Sequence, residues 1–198
     1  MPKLFEAYPV RVEYLGKEYP VNASFDRVLE AFSVYKAPEY TPAQKLDYVT
    51  FLFLGDDAPR DPMLIDAVFK TFLSPGETGG DGQKTFDFEQ DADAIFASFL
   101  QVYGINLRAM RGKMHWLDFA AAMKGLFQGP KCPLSELVYI RSCPIPKPNR
   151  TNQEQIRALM KAKAKCRLKL SEEEERQQYQ KGLQKMAANL MGGGVRHG

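Results

Sequence analysis

Residues 85–107 read "TFDFEQDADAIFASFLQVYGINL", and their interpretation decides what kind of protein the chain encodes. Asp87, Glu89, Asp91 and Asp93 stand at alternate positions ahead of an apolar run. Carboxylates this dense suit a metal ion or the start of a helix. A calcium loop needs a central glycine and a flexible turn among its ligands. Here an apolar period of i, i+3 and i+4 begins at once, through Ile95, Phe96, Phe99, Leu100 and Tyr103. At about 100° per residue, Asp87 and Asp91 share one face while Glu89 and Asp93 point away. The four do not converge on one ion, and no neighbouring His or Cys completes a set. The stretch therefore predicts a helix opened by Asp87 and Gln90 as a capping box. Acids in its first turn complement the dipole, and the acidic face is solvated. Gly104 suits a left-handed C-cap, with Ile105 as its apolar contact.

Upstream of this helix the chain opens with "VRVEYLGKEYPVNA", residues 10–23. Gly16-Lys17 suits a two-residue II′ turn, which pairs Tyr14 with Tyr19 and Val12 with Val21. Val10, Val12, Tyr14, Tyr19, Val21 and Ala23 then share a face that must pack on something, because an isolated hairpin is marginal in water. Three helix starts follow. Ser24 precedes Phe25, Val28, Leu29 and Phe32 at helical spacing. Thr41-Pro42 with Gln44 forms a cap, a first-turn proline and a capping box, for a helix running to Leu54 and stopped by Gly55. Asp61-Pro62 repeats the device for a helix to about Leu73. "SPGETGGDGQK", residues 74–84, has four glycines, one proline and no apolar side chain, and reads as a mobile loop.

Downstream, "MHWLDFAAAMKGLF" places Trp116, Phe119, Ala120, Met123 and Phe127 on one stripe. Core packing is the plain reading. A partner-facing aromatic patch is the functional one, since tryptophan is enriched at interface hot spots. His115 has no nucleophile or acid at telling spacing and reads as a surface or capping residue. An apolar segment, Leu134–Ile140, precedes the prolines of "CPIPKP", which favour extended backbone and mark a boundary. "TNQE", 151–154, opens a polar helix by a further capping box. Tyr179, Leu183, Met186 and Leu190 form a narrow apolar seam on a later polar rod, which is rarely stable without a partner.

These elements predict a mainly α fold: an N-terminal β-hairpin packed on a helical domain over residues 1–148, with a basic helical appendage over 149–198. A core over 1–148 is expected to fold alone. With 198 residues, 44% of them apolar, the chain can build a sizeable core. Residues 151–198 carry ten Lys and Arg against five Glu, a net of +5, while the preceding 150 carry a net of −2. The basic segment lacks interleaved aromatics, which disfavours a nucleic-acid partner. Three cysteines without a CxxC pair argue against a disulfide framework and for a reducing compartment. No run reaches the length of a membrane span. No GxSxG, P-loop or GxGxxG is present, so no catalytic, cofactor or metal residue is assigned and the chain is expected not to be an enzyme.

The block "FDFEQDADAIFASFLQVYGINL", 86–107, resembles a family of small tail-region proteins from tailed phages and prophages. "MHWLDFAAAMKGL", 114–126, resembles the family's second block, with its His-Trp pair, following aromatic and Gly-Leu end; Leu117 departs from it, standing where a further aromatic is expected. The hairpin also resembles the family's opening. Such proteins are similar in size and genome setting to the tail assembly chaperones of long-tailed phages. The resemblance implies a non-enzymatic assembly factor that covers apolar helices of the tape-measure protein in the bacterial host cytoplasm and is missing from the mature virion. Tape-measure protein, other tail assembly proteins and a second copy of the chain are the expected partners. Trp116, Phe119, Tyr179, Leu183 and Met186 are the candidate partner-binding residues. The competing expectation is a structural virion component, such as a tail-completion or connector subunit.

Overall fold

A computed structural model describes residues 6–73 and 84–169. Residues 74–83 of the expected 74–84 loop, the seam at Tyr179–Leu190 and the rest of 170–198 lie outside the described residues. Among those described, the fold is mainly α, with one antiparallel hairpin and seven α-helices. The chain divides into two units. The first takes residues 6–73 and 93–135, the second 84–92 and 136–169.

In the first unit, β1 (Arg11–Tyr14) pairs with β2 (Lys17–Pro20), with Val12 opposite Tyr19 and Tyr14 opposite Lys17. The turn is Leu15-Gly16 and not Gly16-Lys17. Both central residues have positive φ, 51° and 75°, which is a type I′ arrangement with glycine second. The expected register is therefore corrected by two residues. Because strand side chains alternate with a period of two, the shift leaves the same residues on the same face. Val12 is buried on that face, whereas Val10 at its open end is not.

Helix α1 (Phe25–Lys36) starts after Ser24 as expected, but the Ser24 hydroxyl makes no cap bond and donates to Asn22 Oδ1 at 2.8 Å. A short antiparallel bridge joins Ser24 to His115 instead: Phe25 N–H donates to Met114 O, and Trp116 N–H to Ala23 O. Helix α2 (Pro42–Leu54) has the full Thr41–Gln44 capping box and stops at Gly55, whose φ is 80°. Helix α3 (Pro62–Val68) is capped by Asp61 and continues through a π-helical turn at Phe69–Leu73. Helices α4 (Ala92–Tyr103) and α5 (Trp116–Gln128) complete the unit. Gly104 N–H closes on Leu100 O at φ 66°, the left-handed cap its position predicted.

The core is an aromatic stack. Phe119 lies between Phe25 and Phe99, with ring centroids 4.9 Å and 5.2 Å away and interplanar angles of 17° and 11°. Trp116 leans on Phe119 and meets Phe32 edge-on. Val28, Leu64, Val68, Phe72 and Leu126 fill the space around it. Two expected stripes are corrected here. On α4, Ile95 and Phe99 are buried with Ser98, while Leu100 and Tyr103 are exposed. On α5 the buried stripe ends at Leu126, not Phe127. Small and polar positions, not a continuous apolar row, meet the neighbouring elements there. Ser98 shows why: its hydroxyl donates to Ala94 O and accepts from Leu134 N–H, so it is satisfied inside.

The second unit contains the acidic turn 84–91, the later part of α6 (Pro133–Ser142) and α7 (Gln153–Lys165). The expected Thr151–Glu154 capping box is replaced. Asn152 is the N-cap and makes no side-chain cap bond, because its amide bridges Asn149 N–H and Lys147 O.

Candidate functional site

The acidic turn forms a buried clasp. Asp87 Oδ1 accepts from the N–H groups of Glu89 and Gln90, the capping role its position predicted. Its other oxygen pairs with Lys84 at 2.8 Å. The rest of the expectation is corrected. Helix α4 begins at Ala92, after a turn, and the side chain that accepts from Asp87 N–H is the Asp91 carboxylate, not the Gln90 amide. Asp87 and Asp91 are buried, not a solvated face. Asp91 grips the Arg141 guanidinium with both oxygens, at 2.6 and 2.7 Å. Arg141 also donates to Thr85 O and Cys166 O, and Lys163 donates to Arg141 O. Gln90 and Lys169 exchange two bonds, side-chain amide to backbone, at 2.7 and 2.8 Å. The Asp91 hydrogen bond and charge raise the Arg141 pKa against the opposing effect of its burial. Among the described residues no group of His, Cys, Asp and Glu is placed to share a metal ion. Of the four alternating carboxylates, Asp87 caps the turn and Asp91 ties it to Arg141 of α6, while Gln90 ties it to Lys169 beyond α7.

The first unit carries an open cleft of about 600 Å³. Its walls are the end of β2 with residues 20–24, the last turns of α2, and residues 112–115. Asn22 N–H donates to Phe53 O, which sets the hairpin's exit against α2. Phe51, 47% exposed, stands at the rim, and Arg27 and Lys113 are the charged residues of the lining. One helical turn before Phe51, Tyr48 is also exposed; it stacks on Tyr40 and donates its hydroxyl to Glu30. Glu30 in turn pairs with Arg27 at 3.5 Å. Tyr35, 70% exposed, lies beneath the Lys45 ammonium, which also donates to Tyr35 O. The rim and the neighbouring ridge are thus aromatic, with cations interspersed.

His115 lines the same cleft. It is the N-cap of α5, with Nδ1 accepting from Leu117 N–H at 3.1 Å, which places the proton of the neutral ring on Nε2. Nε2 is buried and has no acceptor among the described residues. Its ring stacks on Tyr8, whose hydroxyl donates to Asp118. Burial pushes the His115 pKa down, against the pull of the Asp118 charge.

The structure places Trp116 and Phe119 in the core, 7% and 1% exposed, with Trp116 Nε1–H donating to Leu73 O. Their burial is what the core-packing reading of that stripe expects. Tyr179, Leu183 and Met186 lie outside the described residues. The exposed aromatics of α1 and α2 were not singled out from sequence. Phe51 and Tyr48 belong to a helix apolar on most sides, so periodicity alone did not mark which side stays open. Among the described residues, no helix is long and apolar enough to cross a membrane.

A family model described as "Bacteriophage Gp15 protein" matches residues 4–170. Searches of curated proteins and of solved structures found no match.

Proposed function

Because the chain belongs to the bacteriophage Gp15 protein family, we propose that it is a non-enzymatic, chaperone-like factor of phage tail assembly. In this reading it acts in the bacterial host cytoplasm. It covers apolar helices of the tape-measure protein until tail subunits replace it. The observation that carries the reading is the exposed aromatic surface at the cleft, with Phe51 and Arg27 in its lining and Tyr48 on the adjoining ridge of α2. Aromatic side chains and arginine dominate the energetics of protein contacts. A helix laid in a groove is the ordinary way one chain shields another's apolar face. The open form of the surface suits a contact that must be reversed, which a large permanent apolar interface would resist.

Co-purification tests this. Tagged chain expressed with the tape-measure protein encoded beside it should retain that protein, and purified virions should lack the chain by mass spectrometry. Stoichiometric presence in virions, with no capture of tape-measure protein, would support the competing reading of a structural tail component.

A further inference from the structure

We infer that the cleft between the hairpin exit, α2 and residues 112–115 is a docking groove for an acidic amphipathic helix of a protein partner. The charge of the lining argues for the acid. It contains Arg27 and Lys113 and no carboxylate. Lys113 makes no ion pair among the described residues. Arg27 pairs with Glu30 at 3.5 Å, and because both are about 40% exposed the pair is worth little, so a partner's carboxylate can compete for Arg27. Asp26, next to Arg27 in sequence, accepts from Gly112 N–H at 2.9 Å and pairs with Arg111.

The shape argues for a helix. Phe51 and Tyr48 lie one turn apart on α2, so the apolar rim runs along a helix axis and continues to Tyr40. A small ligand would use the cleft alone, whereas a rod lying along α2 meets the cleft and the ridge together. Acids on one flank of that rod meet Arg27 and Lys113, while its apolar side meets Phe51 and Val21. The assignment deepens the assembly-factor reading, on which it rests for the partner's identity but not for the groove's chemistry.

The test measures fluorescence anisotropy of labelled model peptides with the full chain. One peptide carries leucine and glutamate at helical spacing. A second replaces glutamate by lysine, and a third replaces leucine by serine. The Leu/Glu peptide should bind about tenfold tighter than either control, and its affinity should fall with added salt. The double variant Arg27→Glu with Lys113→Glu should reverse the charge preference, and Phe51→Ser should weaken binding without reversing it. Lys113→Gln, a single exposed change, should weaken Leu/Glu binding even if the double variant does not fold. Equal binding of the Leu/Glu and Leu/Lys peptides, or a preference unchanged in Lys113→Gln, overturns the proposal. If the variants lose peptide selectivity but still capture tape-measure protein, the groove assignment to that partner fails and the chaperone reading stands. If the peptide preference holds but no tape-measure protein is captured, the groove stands and the chaperone reading fails.

Discussion

Arg141 gathers a carboxylate and two backbone carbonyls, at Asp91, Thr85 and Cys166, around one guanidinium that is 11% exposed. Removing one member of such a pair leaves an uncompensated buried charge, which costs about 3–5 kcal/mol. Asp91→Ala should therefore lower stability by about that amount in urea unfolding. The double variant Asp91→Leu with Arg141→Met should recover much of it, since an apolar pair of similar volume avoids the desolvation cost. A double variant no better than the single one would show that the backbone bonds of Arg141, not the ion pair, dominate. Phe119, between two parallel rings, should cost about 3–5 kcal/mol on truncation to alanine, with loss of a cooperative transition at ordinary temperatures. His115 supplies a pH dependence. Its folded pKa lies below its ordinary value of about 6.5, so the native state favours the neutral ring. The stability it contributes is complete above that value and is lost as pH falls below it toward the folded pKa. His115→Asn keeps an N-cap acceptor for Leu117 N–H but removes the titration. Its melting temperature should vary less between pH 7.5 and 5.5 than that of the native chain, roughly one titrating group's worth. An identical slope in both would place the pH sensitivity elsewhere.

Among the elements, the hairpin, α2 and α3 were readable because each carries a local device: a turn glycine, a capping box, or an Asp-Pro start. The exact turn was not readable. Leu15 in the left-handed region is a rare choice, and the sequence offered Gly16 at either central position. That observation makes a prediction. Leu15 is 87% exposed, so nothing packs in return for its strained backbone. Leu15→Asn should stabilise the type I′ turn by about 0.5–1 kcal/mol, because asparagine tolerates this conformation better. A melting temperature unchanged or lowered in Leu15→Asn would show that Leu15 is held by something other than turn geometry. The acidic block taught the opposite lesson. Its capping residue, Asp87, was legible from local spacing. The burial of Asp91 was not, because its partner lies 50 residues away and no local pattern announces it. For the same reason the exposed side of α2 was hidden: mean apolarity says that a helix is buried somewhere, and only tertiary packing decides which face is left over.

For the whole molecule, the clasp bears on the expectation that the first 148 residues fold independently. Cys166 O and Lys163 bond to Arg141, and Lys169 bonds to Gln90, so residues up to 169 take part in the second unit. Truncation after Lys169 should leave cooperative melting intact. Truncation after Pro148 should lower stability by removing four of these backbone and side-chain bonds, at about 1 kcal/mol each. Equal melting of the two truncations would make α7 a passive extension. The family match covers residues 4–170 as a whole; within it, residues 85–91 build the clasp, and residues 114–126 supply Trp116 and Phe119 to the core and Met114 and His115 to the wall of the cleft. The surface proposed for the partner is the cleft lined by residues 20–24, 51–55 and 112–115 together with the exposed ridge of α2. The central claim is that this surface keeps an apolar partner helix in solution. The most direct measurement is the soluble fraction of the tape-measure protein expressed with the native chain, with the Phe51→Ser and Lys113→Gln double variant, and alone. The account predicts high solubility with the native chain and a fall toward the level of tape-measure protein alone with the variant. Solubility that is the same in all three expressions would contradict it.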